Sequence, residues 1–159
     1  MAQTKSSNSP YKAKGSVIGL EQGKLPPQAV ELEEAVLGAL MIDKNALNEV
    51  IDILEPECFY KEAHKEMYGV IKTLFAESQP IDMLTVSAEL RKIGKLELCG
   101  GDFGIANLTQ KVASSAHIEY HSRIIVQKHI QRSLIRVSSE IIHDAYDEGS
   151  DVLLSLIHI

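Results

Sequence analysis

Residues 116–148, AHIEYHSRIIVQKHIQRSLIRVSSEIIHDAYDE, contain neither glycine nor proline. Nothing in the stretch breaks a helix. At ~1.5 Å per residue such a helix extends about 45 Å, against about 30 Å for the diameter of a small domain. It is too long to lie wholly on the core that this chain can build. Part of it must project, or pack against something else.

The apolar residues of the stretch fall into two stripes. One runs Tyr120, Ile124, Ile130, Leu134, Val137, Ile141, Ala145; the other runs Ile118, Ile125, Ile135, Ile142, Tyr146. A helix that covers one core needs a single stripe little wider than 100°. Two stripes predict two partners, the chain's own core and a second helix or subunit. In this chain alone the surplus stripe should be exposed, most clearly toward Asp144 and Tyr146. The bland alternative is one long helix with a generous core face. The charges are also polarised. Arg123, Lys128, Arg132 and Arg136 occupy the first two-thirds, and Glu140, Asp144, Asp147 and Glu148 the end. Glu119–Arg123 and Arg136–Glu140 are spaced as i, i+4 pairs. An antiparallel copy would set basic against acidic, which predicts self-association through this helix.

The rest of the chain is built from shorter helical segments. Residues 1–24 are rich in Ser, Lys and Gly without periodicity and are expected to be a flexible tail. Pro26-Pro27 is expected to open a first helix, with Glu31, Glu33 and Glu34 near its positive end and Leu32, Val36, Ala39 and Leu40 inward. Gly38 in that helix predicts a close crossing. A second helix, capped by Asp43, carries Leu47, Val50, Ile51 and Leu54 and ends at Pro56. A third follows Phe59-Tyr60 with Ala63, Met67, Val70, Ile71 and Leu74 inward. A fourth, capped by Asp82, buries Met83, Val86, Leu90 and Ile93 and stops at Gly94. After the turn at Gly100-Gly101 a fifth carries Ile105, Leu108 and Val112. Ser114 or Ser115 is expected to cap the long helix. No segment alternates with period two for long enough to be a strand. The expected fold is all-α: a head of about five helices over 25–114, and one long helix over 115–151.

The end is unusual. Gly149-Ser150-Asp151 reads as a turn and cap, Val152-Leu153-Leu154 starts another helix, and the chain stops at Ile159, too short for an independent helix.

Charge excludes one class of function. The net charge is −6, with fifteen acidic against eight basic residues between 25 and 114. Phosphate binding needs clustered positive charge, so the head is not expected to bind nucleic acid by itself. The chain has no apolar run long enough to span a membrane and no apolar segment after Met1, which predicts a cytoplasmic protein. Cys58 and Cys99 match no zinc or redox spacing.

No catalytic constellation is present. His117 and His121 share a helical face at i, i+4, but Glu119 lies where neither metalloprotease pattern places it, and no third ligand is near in sequence. Asp102-Phe103-Gly104 copies a kinase tripeptide without the phosphate loop, lysine or catalytic loop that would give it meaning. There is no GxxxxGK[ST] loop to cradle a nucleotide. No catalytic, cofactor or metal residue is assigned.

Several blocks together carry a resemblance: LPPQAVELEEAVLGALMID, EPECFYKEAHKEMY, QPIDMLTVSAEL, the Gly-Gly at 100–101, and IEYHSRIIVQKHIQRSLIR. In order and spacing, residues 25–152 resemble the N-terminal domain of the bacterial replicative DNA helicase of the DnaB type. The resemblance implies a helical head joined to an antiparallel helical hairpin. Paired hairpins would form a trimer-of-dimers collar on a hexameric ring. It implies primase as a partner, and a helicase loader as a further one. ATP, magnesium and DNA would be handled by a RecA-like motor that these residues do not contain. Residues 115–151 would be the first arm of the hairpin. The sequence departs from the family in two places. Phe103 sits directly beside Gly104, off the family's register for an aromatic after Gly-Gly. Leu154–Ile159 (LSLIHI) does not continue the second arm, and 152–159 are expected to be a truncated, foreign end.

The residues expected at an oligomer or partner interface are Ile130, Leu134, Ile135 and Ile142 for apolar contacts, with Arg132 and Glu31 as the polar ones. Leu134 and Ile135 point about 100° apart and cannot share one narrow stripe. The competing readings are the helicase-binding C-terminal domain of a primase, and a small helical metal-dependent hydrolase using His117 and His121.

Overall fold

The computed structural model describes residues 23–112, 115–147, 149 and 152–157, with the side chains of 152 and 155 left aside. Residues 1–22 of the expected tail (1–24), the candidate cap Ser114, the turn residues Ser150 and Asp151, and 158–159 lie outside them. The described residues contain helices and no strand. The elements are α1 (Val30–Ile42), α2 (Ala46–Val50), a 3-10 turn (Pro56–Cys58), α3 (Glu62–Ala76), α4 (Met83–Lys92), α5 (Gly101–Lys111), α6 (Ile118–Tyr146) and α7 (Val152–Ile157). The expected all-α head of five helices with one long helix is what is found.

α1 is the centre of the head. Its C-terminal half, AVLGALMI, is apolar on every side, as suits a helix enclosed nearly all round, and only Ile42 at its end is largely exposed (56%). It packs against α5 and α6 and also touches α3. Val36, Leu37, Ala39, Leu40 and Met41 are all buried. Gly38 faces α5 so closely that a Cβ there would collide with the Leu108 carbonyl and Val112 Cγ2. The predicted crossing is therefore real. Pro26-Pro27, by contrast, does not open the helix. α1 begins at Val30, with Ala29 at its N-cap in non-helical geometry, and the two prolines lie in the non-helical lead-in, with a bend at Pro27.

The remaining head helices follow their apolar spacing with local corrections. Asp43 does not cap α2. Its Oδ1 accepts from the Asn45 amide at 2.9 Å in the connecting turn, and Asn45 holds the N-cap position without a side-chain cap. α3 buries Met67, Val70, Ile71 and Leu74 as expected, and also Tyr68 and His64. Tyr68 packs against Phe59 with ring centroids 5.1 Å apart and donates its hydroxyl to the Leu54 carbonyl at 3.2 Å.

Asp82 makes the predicted cap of α4. It accepts from the amides of Leu84 and Thr85, while the Thr85 hydroxyl accepts from the Asp82 amide, a complete capping box. Val86 and Leu90 are buried, but Met83 and Ile93 are 41% and 46% exposed, so this helix seals the core along a narrower stripe than the sequence suggests. Gly94, Gly100 and Gly101 adopt positive φ between α4 and α5, a conformation that a residue with a side chain enters only at a cost.

α6 spans 29 residues, about 43 Å. The head takes only its N-terminal part, burying Ile118, Ser122 and Ile125. No serine caps it. His117 is the N-cap, without a side-chain bond, and the Ser115 hydroxyl instead donates to Asp43 Oδ2 at 2.7 Å, tying the start of α6 to the end of α1. The expected pairs are present, Arg123–Glu119 at 2.7 Å and Arg136–Glu140 at 2.8 Å. The surplus apolar surface is exposed as predicted at Tyr146 (77%), whereas Asp144 is only half-buried. α7 touches α6 and exposes Leu153, Leu154, Leu156 and Ile157.

Candidate functional site

The place where α6 leaves the head is organised by Arg132. Two segments rich in proline flank the helix there, the lead-in at Pro26-Pro27 and the 3-10 turn beginning at Pro56. The Pro27 and Cys58 carbonyls that they present need donors. Arg132 supplies them: Nη1 donates to the Pro27 carbonyl at 2.8 Å and Nη2 to the Cys58 carbonyl at 2.7 Å. The guanidinium also lies over the Tyr60 ring, 5.5 Å from its centroid.

Tyr60 is in turn held from the core side. Its amide donates to Glu33 Oε1 at 2.6 Å, and His64 Nδ1 donates to Glu33 Oε2 at 2.6 Å. Glu33 is 1% exposed and His64 4%. A carboxylate this deep is tolerated because both oxygens are engaged. Glu33, Tyr60 and Arg132 thus form one line of contacts from the centre of the head to the long helix.

Beside that line is a pocket of about 510 Å³. Leu25, Pro26, Pro27, Tyr60 and Ile135 supply its apolar wall. Lys24, Arg132 and Arg136 supply its charge, and no acidic residue lines it. Among the described residues no carboxylate pairs with Lys24 or Arg132; Arg132 has only neutral carbonyls as acceptors.

Of the residues expected at an interface, the structure brings Arg132 and Ile135 together in this pocket. Ile135 is 42% exposed, Leu134 61% and Ile130 51%. Ile130 lies on a different side of α6, beside Ile53 and Val126 in a shallower depression. Ile142 is half-buried, and Glu31 is exposed in the first turn of α1, away from the pocket lining. Phe103, 83% exposed in the first turn of α5, presents a solvent-facing aromatic near the Arg91–Asp102 ion pair.

Neither the Glu33–His64 pair nor the acceptors of Arg132 are among the expectations drawn from the sequence. A signal for the first was available: Glu33 lies on the same helical stripe as Val36, Leu37 and Leu40, and His64 on that of Met67, Tyr68 and Ile71. Two polar residues on apolar stripes are candidates to find each other.

His117 and His121 stand with ring centroids 6.3 Å apart, and Glu119 is turned to Arg123. No group of three or more His, Cys, Asp or Glu that could hold a metal occurs among the described residues. The two cysteines are buried and free. Burial pushes both thiols up, Cys99 to about 11 with a further push from Glu66. No helix among the described residues is long and apolar enough to cross a membrane.

The described residues thus form a helical head joined to one long helix, with a junction lined by cations and apolar side chains. The profile of the DnaB-like helicase N terminal domain matches residues 25–127, and the chain belongs to that family. It is 44% identical over 131 residues to the replicative DNA helicase DnaB of Rhodothermus marinus, covering 82% of this chain and 14% of that protein. The crystal structure of the N-terminal domain of DnaB helicase from Mycobacterium tuberculosis superposes with a TM-score of 0.78 at 31% identity, over 81% of this chain and 94% of that one. The structure of a DnaB-like replicative helicase, described with its interactions with primase, shares the fold at a TM-score of 0.69 and 22% identity, over 82% of this chain and 30% of that one. The family match sets aside the primase and metal-hydrolase readings of the sequence. The chain thus spans a small fraction of the helicase relatives it matches.

Proposed function

We propose that this chain is the collar module of a replicative DNA helicase, a non-catalytic domain that pairs with copies of itself and recruits primase. The observation that carries the proposal is the exposed apolar surface of α6 beyond the head. Leu134 and Ile135 are 61% and 42% exposed side by side there, and clustered exposed apolar side chains mark an interface; Ile130, 51% exposed on another side of the helix beside Ile53, adds a second contact. Residues 115–151 act as an arm in this reading. Ile142, Arg132 and Glu31 complete its contact residues.

The relatives support the rest. Primase is the partner named for a helicase of the same fold, and the collar would gather it beside the ring. The hexamer, contact with a loader, ATP and magnesium chemistry, and movement on DNA belong to the parent helicase, in the cytoplasm, with the motor outside residues 1–159. The absence of a phosphate loop in this sequence agrees with that division of labour.

Leu134→Asp tests the proposal. A charge on the exposed stripe should abolish self-association and capture by immobilised primase while far-UV circular dichroism stays helical. The proposal fails if the unaltered chain sediments as a monomer at tens of micromolar and binds no primase.

A further inference from the structure

The pocket at the arm–head junction has an unusual balance. In a chain of net charge −6, it gathers three cations and no acid around an apolar wall. Arg132 is half-buried there with two neutral carbonyls as its acceptors, so its charge has no counterpart among the described residues. A partly desolvated guanidinium beside an apolar wall suits a carboxylate carried on an apolar body. The far end of α6 has that character: Tyr146 is 77% exposed, and Asp147 follows it directly, also exposed.

We infer that this pocket receives the Tyr146–Asp147 end of α6 from a second copy of the chain, the tyrosine against Pro26, Pro27 and Ile135, and the carboxylate toward Lys24 and Arg132. The inference rests on the self-association proposed above and specifies its register. With Asp147 opposite Arg132 in an antiparallel pair, the two-fold axis passes beside Ser139 and Glu140. The helices then overlap over about 22 Å between those positions, at ~1.5 Å per residue. The small side chains of Ser138 and Ser139 lie at the crossing, where bulk would hold the helices apart. The arrangement is isologous: each copy offers one pocket and one helix end, so the same contact is made twice and the assembly closes at two. Charge agrees along the overlap, because Arg132 and Arg136 of one helix face the segment of the other that carries Asp144 and Asp147.

The test uses the chain of residues 1–159 in sedimentation equilibrium, with circular dichroism as the folding control. Asp147→Lys should weaken self-association at least about tenfold, the size expected for opposing like charges at a rim and in a pocket. Lys24→Glu combined with Asp147→Lys should recover part of the loss, because one of the two reversed contacts is again complementary while Arg132 still opposes the new lysine. Lys24 lies outside every helix, so this rescue does not depend on the stability of the fold. If the unaltered chain dimerises and Leu134→Asp disrupts it, while Asp147→Lys and Tyr146→Ala do not, the arm pairs in another register and the pocket assignment is overturned. The same holds if these two variants lose only primase capture, since the occupant is then foreign. A chain that is monomeric throughout overturns the self-association reading and this inference with it.

Discussion

Glu33→Leu tests the line of contacts that holds the long helix to the head. Glu33 Oε1 accepts from the Tyr60 amide and Oε2 from His64, both at 2.6 Å, with the two side chains almost fully enclosed. Leucine fills similar space but leaves the Tyr60 N–H and the His64 ring without their acceptor. Each orphaned group costs about 1–3 kcal/mol, and breaking a buried pair by removing one partner costs about 3–5 kcal/mol in all. That is a large share of a typical total stability of about 5–15 kcal/mol. In urea, with a slope of about 2 kcal/mol/M, the midpoint should fall by about 2 M. Amide exchange at Tyr60 should accelerate more than exchange in α4, because the local anchor is lost. The double variant Glu33→Leu/His64→Leu should recover a substantial part of the loss, since apolar replacement of both members of a buried pair is often neutral. A single-variant cost below about 1 kcal/mol, or a double variant as costly as the two singles added, would refute the argument that this pair holds the junction.

Three further outcomes follow from the geometry. Gly38→Ala should cost about 1–3 kcal/mol and lower the Tm by several degrees, because the Leu108 backbone carbonyl cannot retreat as a side chain would; a Tm equal to that of the parent would show that α1 and α5 slide apart freely. The Asn45 amide, and after it the Ser115 hydroxyl, hold the Asp43 carboxyl below its ordinary value of 3.8. Its contribution to stability is therefore present above that value and lost as pH falls through the lower folded one. Asp43→Asn should be less stable than the parent near neutrality and converge with it in strong acid; parallel pH profiles would refute this. The buried thiols, with Cys99 at about 11, should resist Ellman's reagent at pH 8 in the native chain and react at once in guanidinium. Rapid native labelling of either would show that the core opens there.

Much of the head was legible because its signals are local. Asp82 followed by Thr85 caps α4 as the sequence indicates, and the apolar spacing of α3 places Met67, Val70, Ile71 and Leu74 in the core. The errors were local too. Pro26-Pro27 suits a first turn, yet it lies ahead of the helix and the Pro27 carbonyl accepts from Arg132. Asp43 has the chemistry of a cap, but the turn to Asn45 and the hydroxyl of Ser115 take it first. Met83 and Ile93 fit an inward stripe on α4, but the helix lies at the edge of the head, where only Val86 and Leu90 reach the core. At the site, Ile130, Leu134 and Ile135 were visible as more apolar surface than one core can cover. The pocket that includes Ile135 was not.

By itself, the sequence determines an all-helical chain, the places where its helices break, and one helix longer than the head can use. These follow from glycine, proline and capping positions and from a period near 3.6, all properties of neighbouring residues. Tertiary structure alone decides that Ile118 and Ile125 face the head, that Glu33 meets His64, and that Arg132 joins Pro27 to Cys58. Those partners are far apart in the chain. They meet only because α1 is enclosed between α5 and α6, and no local pattern records which buried polar group will satisfy which.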